Sequence, residues 1–517
     1  MTRLHVRLII GCVAALWLAG CVANPVTGKR ELRVVSEAQE VQIGQEHYVP
    51  TQQMQGGPYN VDPELTRYVQ EVGQKLAQVS DRQLPYDFVV LNNSTPNAWA
   101  LPGGKIAVNR GLLTELNDEA ELAAVLGHEI VHAAARHGAK GIERGMVLQG
   151  VVVATGLAVR DSDYATLLMG GAQVAAGLIT QKYGRDAERE SDLFGMRYMS
   201  RAGYAPQAAV SLQEVFVRLS ADRSKDWLSG LFASHPPSEE RVENNKKITA
   251  TLPPGGERYR QRYQQKIAHI KRAQPAYAAH DEGRKELAKG EIEKAISLAD
   301  QAIRIEPQEA QFHALLGDAR FQQQRYREAL PHYQRAIERH DAFFHYYVQR
   351  GMTHQELENP SAARADLDRS MKLLPTASAA NALGQLALAS GNPDQALKYF
   401  QFAANSDSPP GRQAAQSLVR LDLPRHPYKY LKTQLALDSR GYVVAQVTNP
   451  TPVPIRGLRL VIQYPDAQGR MRQSAHTIQR VLRSQEAITV RTGLGPVRDQ
   501  HLLHRMRAGI DRASVAQ

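Results

Sequence analysis

The sequence predicts an α+β chain in three parts: a mostly helical N-terminal domain, an α-solenoid and a small C-terminal β-sandwich. Three observations predict it. A helix near residue 128 carries two histidines four positions apart, a spacing that suits metal ligation. Small residues recur every 33 or 34 positions between about 275 and 410. From Lys429 onward, alternating and β-branched stretches lie between turn signals. At 517 residues the chain has room for three or four domains of ~150 residues. With 43% hydrophobic and 22% charged residues, it is globular rather than disordered. The 63 Lys and Arg exceed the 52 Asp and Glu by 11. That excess suits a surface near anionic lipid or acidic partners, and without a dense basic block it does not point to nucleic acid. No run of ~18 apolar residues follows the N-terminus, which excludes a polytopic membrane protein.

Residues 1–20 read as an export signal. Arg3 and Arg7 precede an apolar stretch, Leu8 to Leu18, of secretory length. It ends Leu18-Ala19-Gly20-Cys21, which resembles the lipobox of bacterial lipoproteins. The resemblance implies acylation of Cys21 and, with Val22 rather than Asp next, delivery to the outer membrane facing the periplasm. Cleavage would discard Cys12, the other cysteine, so the mature chain has no disulfide. Residues 21–34, with Pro, Gly and no periodicity, read as a lipidated tether.

The first folded part is expected over 35–250. Two amphipathic helical stretches lie between Ser36 and Arg82, separated by Gly56-Gly57-Pro58-Tyr59-Asn60. A strand follows over Tyr86–Leu91, then a hairpin: Asn97 to Leu101, the turn Pro102-Gly103-Gly104, and Lys105 to Val108. Asn117-Asp118 opens a helix expected to run to Gly138. Two apolar stretches, Val147–Val159 and Ala165–Thr180, are each too short to span a bilayer. They read as a buried helical hairpin, or as a surface that dips into lipid. Arg185 to Arg201 forms a second chemically loaded helix.

In the region 270–420, Gly283, Gly317, Gly351 and Gly384 form one column, and Ala295, Ala329, Ala363 and Ala396 another. Ala302, Ala336, Ser370 and Ala403 form a third. The period and the small residues resemble the tetratricopeptide repeat, whose implied role is a concave surface for peptides or proteins. The β-rich part covers 429–517, with strands at Gly441–Val447, Leu458–Tyr464 and Ala487–Arg491, and no ligand cluster.

The chemistry concentrates in His128-Glu129-Ile130-Val131-His132. Positions i and i+4 share a helix face, so both imidazoles reach one ion, while Glu129 is one step round and placed to take a proton from water. His137, five residues past His132, reads as structural. A zinc site needs a third ligand, and Arg185–Asp192 offers several acids: Glu188 and Asp192 share a face, and Glu190 lies on the other. His-Glu-Ile-Val-His followed by Glu-x-Glu-x-Asp resembles the gluzincin metallopeptidases of the HtpX and CAAX-prenyl-protease type. The resemblance implies one Zn²⁺ per chain held by His128, His132 and Glu188, with Glu129 catalytic and Asp192 orienting a ligand histidine. Ser191 stands where the family usually has Ala.

Two further segments agree with that family. Asn97-Ala98-Trp99 resembles its hairpin beside the cleft, whose edge pairs with an extended substrate. His235-Pro236-Pro237 with Arg241 resembles its closing His-Pro segment, which gives Arg241 a supporting place around the site. His235 then either stabilises the oxyanion, occupies the open zinc position, or is a loop histidine. A peptidase joined to repeats in an exported chain is similar to BepA-type periplasmic proteases. That implies an endopeptidase acting on unfolded outer-membrane proteins, with the repeats holding protein partners and the Cys21 lipid holding the membrane. A rival is a chaperone or assembly scaffold whose peptidase site is largely autoinhibited. A structural-zinc module is disfavoured, since such sites are closed by Cys-rich ligand sets and Cys21 is the only mature thiol.

Overall fold

The computed structural model describes residues 21–154, 183–221, 235–466, 468–497 and 500–516. The expected export signal and the apolar stretches from 155 onward lie outside them. No described helix is long and apolar enough to cross a membrane. The described residues part into two compact units between Thr353 and His354, inside the repeat array.

The first unit opens with a hairpin, β1 (Cys21–Ala23) and β2 (Arg30–Leu32). Residues 21–34 are therefore not a loose tether. Asn24 is 3% exposed and donates to the Ala135 carbonyl at 3.0 Å, and the backbone of Val34 and Val35 donates to Glu143. Three-residue strands carry no readable period, and the residues that the hairpin docks against lie more than 100 positions away, so the docking is invisible to local pattern.

Helix α1 (Glu37–Met54) starts at a capping box of Ser36 and Gln39, and α2 (Pro63–Ala77) starts at Asp62 with proline in its first turn. Strands β3 (Asp87–Leu91), β4 (Ala98–Leu101) and β5 (Lys105–Asn109) form one sheet in the order β3-β5-β4. The β3–β5 pair is parallel and β4–β5 is the expected hairpin, leaving β4 at the edge. After α3 (Arg110–Glu115) come α4 (Glu119–Ala134), α5 (His137–Ala154), α6 (Arg185–Arg201), α7 (Gln207–Ala221) and α8 (Glu239–Thr251).

Helix α4 stops four residues short of the expected Gly138. Arg136 adopts φ 64°, and its guanidinium is buried between Glu40 (2.5 Å) and Glu143 (2.9 Å). That buried charge network sustains a left-handed residue that an arginine otherwise disfavours. The chain turns there and restarts as α5.

The solenoid begins with α9 (Arg260–Lys266), α10 (Ala268–Lys289), α11 (Ile292–Ile305), α12 (Ala310–Gln322), α13 (Tyr326–Arg339) and α14 (Phe344–Glu356). The repeat columns have a steric origin. A Cβ on Gly317 would lie 2.7 Å from the Tyr333 ring, so only glycine lets paired helices approach this closely. These first repeats share one core with the peptidase-like part: Tyr263, Ile267, Tyr277 and Phe312 cluster with Leu65, Val69, Leu122 and Leu126. Polar groups match across the same seam. Asn92 donates to both oxygens of the buried Glu309 carboxylate at 3.0 Å, and Tyr277 donates to it at 2.8 Å. Arg110 lies 3.3 Å over the Tyr277 ring.

The second unit continues with α15 (Pro360–Leu373), α16 (Ala377–Ala389), α17 (Pro393–Ala403), α18 (Pro409–Asp422) and α19 (Pro427–Tyr430). Two three-stranded antiparallel sheets follow. One has β6 (Lys432–Leu437), β7 (Val443–Thr448) and β10 (Ala487–Arg491); the other has β8 (Ile455–Pro465), β9 (Met471–Ile478) and β11 (Arg507–Val515). Ala445 and Val447 from one sheet meet Leu458, Leu460 and Ile462 from the other in a single core, which makes a sandwich.

Candidate metal centre

The acidic start of α4 is buried, and that is what holds the helix. Asp118 caps it through the Glu121 amide, and Arg258 reaches Asp118 (2.6 Å) and Glu121 (3.2 Å). Glu119 takes hydrogen bonds from Tyr68, Tyr204 and Arg262. Further along, α4 crosses α6 at two glycines. A Cβ on Gly195 would sit 3.0 Å from the His128 backbone nitrogen. This close crossing brings the acids of α6 up to the histidines of α4.

His128 Nε2 and His132 Nε2 lie 3.0 Å apart, and the Glu188 carboxylate straddles them, Oε2 3.5 Å from His128 and Oε1 3.5 Å from His132. His235 stands between them, its Nδ1 3.0 Å from Glu188 and 3.3 Å from His128 Nε2. One donor atom from each of these four buried residues lies within 4.8 Å of the others. Lone pairs of three imidazoles and a carboxylate converging on one volume suit a divalent cation, and nitrogen with oxygen donors suit zinc. Glu129 Oε1 is 3.6 Å from His235 Nε2, while Glu129 Oε2 is buried without a hydrogen-bond partner among the described residues. Ala98 of β4 lines the adjoining, largely apolar cavity with Leu112, Val125 and Phe216, so the edge strand borders the site; Asn97 is half-buried and Trp99 buried.

Outer partners orient the ring nitrogens. Asp192 Oδ1 lies 3.0 Å from His128 Nδ1, and Arg241 clamps Asp192 through Nε (2.8 Å) and Nη2 (2.7 Å) while reaching Glu188 at 3.0 Å. On the other ligand, His132 Nδ1 lies 3.0 Å from His137 Nδ1, and His137 Nε2 is 3.4 Å from Glu190, which takes a 2.7 Å bond from Lys29. Because α4 ends at Ala134, His137 turns back toward His132. His137 thereby joins a hydrogen-bonded chain that runs from the N-terminal hairpin to His132. Tyr183 stacks on His132 with centroids 4.0 Å apart. No sequence signal marks Tyr183, and an i+5 spacing hides His137.

Burial drives His132 well below the usual imidazole range, leaving a neutral ring with a free lone pair. Burial also opposes the charged form of His128, but bonds to Asp192 and Glu188 lift it to about 10, a proton that cation binding would release. Burial pushes the Glu129 carboxyl up, which suits a proton acceptor. The bond from His137, followed by Lys29, holds Glu190 down at about 2, so it stays an anion in its outer position.

The sequence profile of Peptidase family M48 matches residues 63–249, and that of the tetratricopeptide repeat matches 280–342 and 348–416. The Escherichia coli K12 beta-barrel assembly-enhancing protease is 28% identical over 251 residues, covering 47% of this chain and 50% of that protein. The mitochondrial metalloendopeptidase OMA1 of Schizosaccharomyces pombe is 31% identical, covering 44% of this chain and 66% of that protein. Metalloprotease YcaL of Escherichia coli K12 is 31% identical, covering 33% of this chain and 68% of that protein. The chain spans about half the length of the assembly-enhancing proteases it matches.

Proposed function

Since this chain belongs to peptidase family M48 and carries tetratricopeptide repeats, we propose that it is a zinc-dependent endopeptidase of the bacterial envelope, cutting misfolded or stalled outer-membrane proteins. The observation that carries this reading is the convergence of His128, His132, Glu188 and His235 beside the partnerless carboxylate oxygen of Glu129. His128, His132 and Glu188 would hold one zinc ion, which supplies Lewis acidity and lowers the pKa of water. Glu129 takes the proton from the attacking water and returns it to the leaving amine. The β4 edge at Asn97, Ala98 and Trp99 pairs with an extended substrate, and the repeats recruit protein clients. Removing metal with a chelator should abolish cleavage of an unfolded β-barrel protein by the purified chain, and Zn²⁺ should restore it. Cleavage that survives chelation, with zinc shown to be gone, would overturn the reading.

A second reading, a chaperone or scaffold with a restrained peptidase, draws on the position of His235 among the ligand atoms. There it would fill the place needed by water and substrate. His235→Ala should keep its zinc and cleave faster or less selectively, including self-cleavage. A fall in kcat of ~10²-fold would instead assign His235 to the oxyanion. Cys21 would carry acyl chains that hold the protein on the periplasmic face of the outer membrane. Cys21→Ala should leave the membrane fraction or stay unprocessed, and acyl labelling that persists in this variant would refute the lipid.

A further inference from the structure

Positive charge is unevenly placed along this chain. Residues 429–517 contain 14 Lys and Arg against 5 Asp and Glu, a net +9 of the chain's +11 in under a fifth of its length. The sandwich sorts that charge. In the β9–β8–β11 sheet, Leu458, Leu460 and Ile462 are fully buried and alternate with Arg459, Val461 and Gln463, which face outward. The registers Arg459–Thr477, Val461–Ala475 and Gln463–Gln473 extend the outer face across β9. The registers Arg507–Gln463, Gly509–Val461 and Arg512–Arg459 extend it across β11. Arg507 and Arg512 are exposed, as is Arg456 at the start of β8, and none of the three makes an ion pair among the described residues. Among the described residues of β8, β9 and β11, Asp511 is the one acid, and it is paired with Arg459.

We propose that this outer face is a docking surface for anionic phospholipid headgroups, a membrane contact separate from any acyl group at Cys21. Guanidinium groups match phosphate bidentately and are weakly hydrated, so they suit a layer of lipid phosphates. The residues between the arginines are small or apolar: Val461, Ala475 and Gly509, with Met471 at 56% exposure beside them. Such a mixed surface tolerates the interfacial region, where a strictly polar one gains less. The face carries no aromatic ring on which bases could stack, which disfavours single-stranded nucleic acid. One acyl signal with one polybasic surface is also the combination that makes membrane attachment stable. This inference does not depend on the peptidase reading.

The test is co-sedimentation of the chain from residue 22 onward, which carries no acyl group. Vesicles of phosphatidylethanolamine with phosphatidylglycerol are compared with vesicles of phosphatidylcholine alone. Binding is expected to the phosphatidylglycerol vesicles only, and it should disappear as salt rises from ~0.05 to ~0.5 M. Each basic residue near an anionic bilayer is worth about fivefold in partitioning, so the triple variant Arg456→Gln, Arg507→Gln, Arg512→Gln should bind roughly 100-fold more weakly. Lys432 and Arg491 lie on the outer face of the other sheet. Replacing both with Gln should change binding by less than ~3-fold, because they fall outside the screening length of the contact. Should the triple variant melt early, Arg507→Gln alone carries the test with an expected loss of about fivefold. Equal binding to both vesicle types, an unchanged triple variant, or equal losses from the two sheets would each overturn the proposal. Capture by polyglutamate or duplex DNA in preference to the vesicles would overturn it in favour of a macromolecular polyanion.

Discussion

Glu129→Gln leaves the chain folded and zinc-loaded and removes proteolysis by at least ~10³-fold. The expected size follows from the role: a positioned general base contributes ~10²–10⁴-fold, and here the same group also serves the departing amine. The substitution keeps the shape and removes only the proton-accepting oxygen. Burial already costs the Glu129 anion stability, so a neutral amide at 3% exposure does not endanger the fold. Cleavage of casein or of an unfolded β-barrel protein reads the activity, and elemental analysis reads the zinc. A variant cutting at the wild-type rate would remove Glu129 from the mechanism. In cells, the inactive variant should retain bound clients, whose identification separates a protease from a scaffold.

Glu188→Ala has the opposite signature, with metal lost first. Without its carboxylate the cluster keeps only neutral donors, and zinc occupancy should fall to near background in purified protein. Normal zinc in this variant would move the third ligand elsewhere. Sequence spacing alone leaves Glu190 as the next candidate, but Glu190 is engaged by His137 and Lys29, so His235 would be the replacement. Asp192→Ala should weaken zinc binding by only ~10–100-fold, as loss of an orienting partner does. It also leaves Arg241 buried without its main counter-ion, a change that costs about 3–5 kcal/mol in comparable buried pairs. Melting temperature and zinc affinity should therefore fall together in Asp192→Ala.

How far residues could be read from the chain depended on where their partners sit. His128, His132, Glu188 and Asp192 follow from i,i+4 spacing on two helices together with a family resemblance, and the helices cross so that the side chains meet. The glycine column was legible because two of its members, Gly317 and Gly384, each answer an aromatic ring 16 positions on, Tyr333 and Phe400. His137 was not, since its position depends on a helix break at Arg136 that is itself sustained by Glu40, 96 positions upstream. The docking of residues 21–34 was hidden for the same reason: Asn24 and Lys29 bond to Ala135 and Glu190. Of the six sandwich strands, β6, β9 and β11 lacked a pattern strong enough to stand out. Their sequences, KTQLAL, MRQSAHTI and RAGIDRASV, mix polar and small residues and carry fewer β-branched residues than β7 or β8.

The core shared by the first repeats and the HExxH-bearing helix sets a timetable for the emerging chain. A polypeptide delivered N-terminus first presents His132 early, yet Tyr263, Tyr277 and Phe312 complete the apolar layer against which α4 rests. Phe312 arrives about 180 residues after His132. Until then the helix has an unfinished seat, and the buried acids at its start lack Arg258 and Arg262. The cluster of His128, His132, Glu188 and His235 is consequently completed late, only after the first repeat helices exist. A newly made copy thus passes through an unfolded interval before its metal-binding cluster is complete.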